Sequence, residues 1–160
     1  MLPELTSHHE ILNEFLLKSG MAIVCGGLIG AERELKGKSA GFRTNILICL
    51  GSTYFMLVSL LVSTLAEAGK PGDPGRVAAQ VVTGIGFLGA GTIIQARGQI
   101  AGLTTAALIW VVASIGLLIG SGFLLLAFLG TVLIFLTLTV LGVVERKLLN
   151  RRQPAPNNHH

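Results

Sequence analysis

The sequence predicts an all-α membrane protein with five transmembrane helices. Hydrophobic residues make up 51% of the 160 residues and charged residues 12%, whereas soluble domains carry about 25% charged residues. Glycine occurs 21 times, and the glycines lie inside apolar segments, where they let helices pack closely in a bilayer. This composition excludes a soluble enzyme and an intrinsically disordered chain, because both need many more charged residues.

Five stretches are apolar and long enough, or nearly so, to cross a bilayer, which takes about 20 residues. They are residues 15–31, 44–66, 77–94, 103–119 and 123–144. The first contains Lys18, so we expect it to begin as an interfacial helix near Glu10. The last is leucine-rich and uncharged, which is typical of a helix that faces lipid. We expect a single transmembrane domain over residues 1–150, followed at 151–160 by a disordered tail or the remnant of a tag.

Lysine and arginine are unevenly divided between the flanks of these segments. One side collects Arg33, Lys36, Lys38, Arg43, Arg97, Arg146, Lys147, Arg151 and Arg152, and the other collects Lys18, Lys70 and Arg76. Because basic flanks stay in the cytoplasm, the N-terminus is predicted outside and the C-terminus in the cytoplasm. With one Trp and one Tyr, the chain lacks the aromatic residues that stack on bases, so we expect no nucleic-acid partner.

An internal repeat relates the first half of the chain to the second. Residues 36–48 can be laid over residues 97–109, and Gly, Ala, Gly, Thr, Leu and Ile coincide at six of thirteen positions. The first two spans and the next two are therefore predicted to be parallel copies of one helical hairpin, with the fifth span outside the repeat. We expect function to lie where the charged residues make the two copies differ.

Glycines are concentrated in the first and third spans. Residues 84–89 match the GxGxxG pattern of dinucleotide sites, but they lie in an apolar span without a preceding strand, so the match carries little weight. We expect these glycines to permit close helix packing, and a break of the third helix at 84–91 that frees carbonyls to line a cavity is the alternative. The set is Gly26, Gly27, Gly30, Gly84, Gly86, Gly89 and Gly91, together with Gly102 before the fourth span.

Charged residues flank the loop between the first two spans. Glu32, Arg33 and Glu34 follow a glycine-rich segment directly, and Arg43 directly precedes the second apolar segment. An interfacial anchor is the simpler interpretation. Because a charge at this depth is costly unless it is paired, we expect Arg43 to form an ion pair with Glu32 or Glu34 that holds the two helix ends together.

Uncharged polar residues begin or interrupt other spans. Thr44 and Asn45 are placed to cap the second helix, and Thr104 and Thr105 to cap the fourth. Gln80 is expected to form an interhelical hydrogen bond, or else to line a solvated path. The Arg76 side chain is expected to extend to the lipid headgroups.

Catalytic patterns are missing from the sequence. The chain has one Asp, no HExxH motif and no His within a span. We therefore expect a non-enzymatic protein without a cofactor or a dedicated metal site.

Two blocks of residues form recognisable sequence motifs. Residues 27–34 (GLIGAERE) and 40–44 (AGFRT) make up the first block. Residues 76–80, 84–91 (GIGFLGAG) and 102–107 (GLTTAA, beginning at Gly102), with Trp110, make up the second. Together they resemble the two signatures of the MgtC/SapB family of bacterial membrane proteins. The resemblance implies a multi-pass inner-membrane protein associated with magnesium limitation, acid tolerance and survival inside host cells. Some members are described as restraining the proton-driven ATP synthase rather than moving magnesium.

The chain departs from the family pattern at two points. Longer members carry a cytoplasmic C-terminal regulatory domain, whereas only about 16 residues follow Val144 here, so we expect a short form. Members with virulence roles often have Asn where this chain has Thr104. The sequence favours a membrane regulator that binds a membrane partner, such as the ATP synthase, and forms a homo-oligomer, with a dimer expected first. An oligomeric channel or transporter for Mg²⁺, H⁺ or K⁺ is the alternative.

Overall fold

The computed structural model describes residues 8–65, 72–96 and 99–150 and contains five helices in these ranges. The helices are α1 (His8–Leu35), α2 (Phe42–Leu65), α3 (Pro74–Ala90), α4 (Leu103–Gly120) and α5 (Leu124–Asn150). Two short strands, β1 (Ile94–Ala96) and β2 (Gln99–Ala101), form an antiparallel hairpin between α3 and α4. The predicted all-α class is confirmed, and the predicted tail at 151–160 lies outside the described residues.

Helices α1, α2, α4 and α5 are long and apolar enough to cross a membrane, judged over the described part of the chain. Helix α3 has 17 residues, somewhat fewer than the roughly 20 that span a bilayer. The prediction that the third span reaches residue 94 is wrong, because α3 ends at Ala90. Thr92 Oγ1 donates to the Gly89 carbonyl at 2.8 Å, and such a bond competes with continuation of the helix. The chain then enters the β-hairpin, which the sequence did not predict.

The core lies mainly between α1, α2, α4 and α5. Cys25, Ile29, Cys49, Val112 and Ile119 are fully buried there. Helix α3 packs on one side of this bundle, where a second apolar cluster joins it to α4; its buried members are Val81, Ile85, Ile109 and Ala113. The outer face of α5 is lined by exposed leucines and phenylalanines, as expected for a helix in contact with lipid.

Glycines set the distance between α1 and α2. A Cβ atom added at Gly26 would lie 2.7 Å from the Asn45 carbonyl oxygen, and one added at Gly30 would lie 2.7 Å from Phe42 Cα. Gly27 faces the Phe42 ring, which an added Cβ would meet at 3.2 Å. Such contacts with backbone atoms leave no room for a side chain, so these helices approach as closely as small residues allow.

The glycines of α3 behave differently from those of α1. A Cβ atom added at Gly84 or Gly86 would meet nothing within 4 Å, and one added at Gly89 would make an ordinary contact of 3.4 Å with Ala106. The expected close packing is therefore not formed at Gly84 and Gly86 within this chain. The alternative, a break within the glycine-rich segment, is wrong as well, because α3 is continuous to Ala90 and Gly91 is the first residue beyond it.

The repeat has a structural counterpart at the start of two helices. Helix α2 begins at Phe42 and α4 begins at Leu103, and these two residues are matched in the sequence repeat. The segments before them differ, because the first copy has a tight turn at this position and the second has the β-hairpin. Both connections lie at the same end of the bundle, since side chains from the first reach the first turn of α4.

Candidate functional site at the basic-loop end

The last turn of α1, the loop at 36–41 and the first turns of α2 and α4 converge at one end of the bundle, here called the basic-loop end. Arg33, at 5% exposure, is buried in this region. Its Nη2 donates to Thr105 Oγ1 at 3.1 Å, and Ser39 Oγ lies 3.1 Å from the same hydroxyl. The Arg33 Nε–H, by contrast, is buried without a hydrogen-bond partner among the described residues. These three side chains join α1, the loop and α4.

Glu32 is the buried acidic residue of the basic-loop end and is 6% exposed. Its Oε1 lies 2.5 Å from Lys36 Nζ in an i,i+4 ion pair, and Lys36 Nζ also donates to the Leu138 carbonyl of α5 at 3.4 Å. Glu32 Oε2 is buried without a hydrogen-bond partner in the described chain. Lys36 therefore links α1 to α5 while it balances the charge of Glu32.

The start of α2 is held by two side chains that contact backbone groups. Glu34 Oε2 accepts a hydrogen bond from the Phe42 backbone N–H at 2.8 Å, so it satisfies one of the free N–H groups of the helix. Asn45 is fully buried, and its Nδ2 donates to the carbonyls of Ala40 at 2.5 Å and Gly41 at 2.9 Å. Its Oδ1 has no hydrogen-bond partner within the described ranges.

The ion pair expected for Arg43 is not formed. Arg43 is exposed, and neither of the two ion pairs found among the described residues includes it. The reason is that Glu32 pairs with Lys36, the first residue after its helix, while Glu34 accepts from a backbone N–H. The buried arginine at this end is Arg33, for which the sequence predicts no specific contact.

The capping roles expected for the threonines and Asn45 are also wrong. The N-cap of α4 is Gly102, whose φ of +90° favours glycine, and no side chain caps this helix. Thr104 is exposed, and Thr105 accepts from Arg33 instead. Thr44 is exposed, and Asn45 uses its amide as a donor to carbonyls of the preceding turn, so it does not accept from the helix N–H groups.

A second buried polar contact lies at the opposite end of the bundle, and sequence reasoning missed it. Lys18 is 5% exposed; its Nζ lies 2.6 Å from Glu14 Oε1 and donates to the Gly120 carbonyl at 3.0 Å. Nearby, Ser19 Oγ lies 3.1 Å from the Tyr54 hydroxyl. The i,i+4 spacing of Glu14 and Lys18 is a signal that could have indicated this pair.

An apolar crevice of about 780 Å³ separates α2 from α3. Gly51, Phe55, Val81, Gly84 and Leu88 are among the residues that line it. A smaller pocket of about 450 Å³ continues along the same two helices.

The two remaining sequence-predicted polar residues lie along these cavities. Gln80 is exposed and lines both of them, and Arg76 is exposed and lines the smaller one. Neither is brought to the basic-loop end. In the described ranges, no group of three or more His, Cys, Asp or Glu residues is placed to hold a metal ion.

Comparison with known proteins places this chain among related membrane proteins. The MgtC family model matches residues 20–147. "Putative magnesium transporter YhiD" of Escherichia coli K12 is 46% identical over 142 residues, covering 86% of this chain and 65% of that protein. Protein MgtC of Salmonella typhimurium LT2 is 45% identical over 108 residues, covering 68% of this chain and 44% of that protein. No solved structure matches the chain.

The family model includes every residue of the basic-loop end described above. The chain spans less than two thirds of the length of each of these two relatives. The match over residues 20–147 covers most of the sequence and most of the described bundle. The chain therefore belongs to the MgtC family of bacterial membrane proteins.

Proposed function

We propose that this chain is a non-enzymatic regulator in the bacterial inner membrane, acting in magnesium and acid-stress homeostasis by helix-mediated binding to a second membrane protein. Its basic-loop end faces the cytoplasm in this proposal, because the basic residues of the described loop and helix ends collect there. The magnesium link rests on the name of the YhiD relative, and a proton-driven ATP synthase is a candidate partner.

The observation that carries the proposal is the crevice between α2 and α3. Its lining is almost wholly apolar, and Gly51 and Gly84 leave space on its two walls, since a Cβ at either position would meet nothing within 4 Å. Transmembrane helices associate where small residues allow close approach. The crevice therefore has the shape and chemistry to receive a helix of another membrane protein or of a second copy of this chain.

Two leucine substitutions on α3 test this role. Gly84→Leu fills the crevice, whereas Gly86→Leu places the same side chain in open space outside it. We expect both variants to fold, because a Cβ atom added at either position meets nothing within 4 Å and the crevice leaves room for the rest of the side chain at Gly84. Growth at limiting magnesium of a strain lacking its own MgtC-family proteins should be supported by Gly86→Leu and lost with Gly84→Leu. Equal growth with the two variants would contradict the proposal.

A channel or transporter is the second candidate, and two buried oxygen atoms favour it. Glu32 Oε2 and Asn45 Oδ1 both lack a hydrogen-bond partner in the described structure, and oxygen atoms are the ligands that Mg²⁺ prefers. The test is flux of Mg²⁺, H⁺ or K⁺ into proteoliposomes containing the purified protein. Saturable flux that disappears in Glu32→Gln and persists in the exposed control Glu34→Gln would replace the regulator proposal with this one.

A further inference from the structure

Arg33 carries a buried charge that the described side chains do not balance. Arg33 is 5% exposed, and within the described residues the one hydrogen bond of its guanidinium goes to the neutral hydroxyl of Thr105. The Nε–H is buried without an acceptor, and neither ion pair of the described chain includes this residue. A buried charge is costly unless an opposite charge and further hydrogen bonds compensate it. The free N–H of Arg33 is therefore suited to an anionic oxygen.

The first turn of α4 adds donors at the same place. Thr105, which receives the Arg33 hydrogen bond, lies in this turn, and Gly102 precedes it as an N-cap without a side-chain acceptor. The first N–H groups of a helix have no intrahelical partner, and the helix dipole adds positive potential there. Helix α4 has 18 residues and an uncapped N-terminus, and the buried Arg33 contacts its first turn. The N-terminus of a helix is suited to binding a phosphate group.

The hydroxyls of Thr105 and Ser39 connect the buried Arg33 to the surface of the protein. Because Thr105 Oγ1 accepts from Arg33, its hydrogen is free to point at Ser39 Oγ or at a ligand. Ser39 is exposed, so these hydrogen-bonded side chains run without interruption from the buried Arg33 through Thr105 to the surface. The surrounding segment, residues 32–43, contains four basic and two acidic residues. Lys36 already neutralises Glu32 there, so the local field favours an anion.

From these contacts we infer a phosphate-binding site at the basic-loop end, made by the guanidinium of Arg33, the hydroxyl of Thr105 and the free N–H groups of α4. The ligand is a phosphate group, carried either by an anionic lipid headgroup or by a free phosphate ion. The inference does not depend on the regulator proposal, because it concerns another part of the molecule.

Thermal unfolding of the delipidated protein in phosphatidylcholine nanodiscs tests the site. One arm adds inorganic phosphate at constant ionic strength, and the other replaces part of the lipid with phosphatidylglycerol. Thr105→Val removes the buried hydroxyl, and Thr104→Val is the matched control because its side chain is exposed. Both variants keep Arg33, so a response to ligand can be measured even if Arg33 variants fold poorly.

We expect the wild type and Thr104→Val to unfold at a higher temperature when the ligand is present. In Thr105→Val, the ligand concentration that gives half of this shift should rise about tenfold, which corresponds to a lost hydrogen bond to a charged group. A shift with phosphatidylglycerol alone identifies a lipid headgroup, and a shift with inorganic phosphate identifies the free ion. The absence of any shift in both arms, or equal responses of the two threonine variants, would overturn the inference.

Discussion

Each end of the bundle buries a basic residue, and the two residues differ in how their charges are compensated. At the opposite end, Lys18 contacts the Glu14 carboxylate and the Gly120 carbonyl, so its charge has both an ionic partner and a hydrogen-bond acceptor. At the basic-loop end, Arg33 contacts one hydroxyl and keeps a buried Nε–H without an acceptor among the described residues. Both residues are 5% exposed, so burial alone does not distinguish them.

This difference separates a structural contact from a candidate binding site. The Lys18 contact connects α1 to the C-terminal end of α4, where carbonyl groups attract a cation. It uses a backbone acceptor that the helix itself leaves free. The Arg33 contact leaves hydrogen-bonding capacity unused next to the uncapped N-terminus of α4. We conclude that the opposite end mainly stabilises the fold, and that the basic-loop end is the better location for a ligand.

The largest effect is expected where glycines fix the helix spacing at each end. A Cβ at Gly30 would lie 2.7 Å from Phe42 Cα, and one at Gly120 would lie 2.7 Å from the Thr53 carbonyl oxygen. Overpacking of this kind costs about 1–3 kcal/mol, so Gly30→Ala and Gly120→Ala should lower the free energy of unfolding by that amount. Chemical unfolding in detergent micelles measures it.

Gly20→Ala is the matched control for the glycine substitutions. Gly20 lies on α1, and an added Cβ there would meet nothing within 4 Å. Because alanine is favoured over glycine inside a helix, this variant should be more stable by about 0.5–1 kcal/mol. If Gly30→Ala also gained stability, the close approach of α1 and α2 at the basic-loop end would be refuted.

Loss of the lysine at the opposite end is the next effect in size. Lys18→Met leaves the buried Gly120 carbonyl without its donor, and an unsatisfied buried acceptor costs about 1–3 kcal/mol. The ion pair adds little, because the Glu14 side chain is 62% exposed. Glu14→Gln should therefore destabilise the protein much less than Lys18→Met in the same unfolding measurement. Equal losses would show that the ion pair, and not the carbonyl contact, holds this end.

The smallest effect is expected at the exposed basic residues of the loop. Arg43→Ala and Lys38→Ala should each change the free energy of unfolding by less than about 0.5 kcal/mol, because both side chains are exposed and neither forms an ion pair in the described chain. A loss of more than about 1 kcal/mol for Arg43→Ala alone would restore the ion pair that the sequence suggested.

The sequence predicted the helices well because apolar length and composition determine where a chain enters a bilayer. It also located Glu32 and Arg33 correctly as a charged group at a helix end. It could not predict which acidic residue would take which partner, since Lys36 contacts Glu32 from the start of the loop while Glu34 contacts a backbone N–H across the turn. Such choices depend on the geometry of a tight turn, which residue spacing alone does not specify.

The β-hairpin and the glycines of α4 are two further features that the sequence alone could not predict. The isoleucines around residue 94 continue an apolar run, so periodicity could not separate the end of α3 from the first strand. A Cβ atom added at Gly116 or Gly120 would lie less than 3 Å from atoms of α2. The sequence does not indicate that these two glycines are packing contacts, because they lie in an apolar segment without polar neighbours. Their importance depends on which helix faces them, and that is a property of the fold.

The most direct test of the contrast between the two ends compares Lys18→Met with Arg33→Met. Both proteins are unfolded by heat in phosphatidylcholine nanodiscs, with and without the phosphate source that stabilises the wild type, phosphatidylglycerol or inorganic phosphate. We predict that Lys18→Met unfolds at a lower temperature and still responds to that phosphate source. Arg33→Met should unfold near the wild-type temperature, because the substitution removes a buried charge that has no ionic partner and is itself costly, and it should not respond to the phosphate source. If Arg33→Met were as unstable as Lys18→Met and kept the response, the distinction between the two ends would be contradicted.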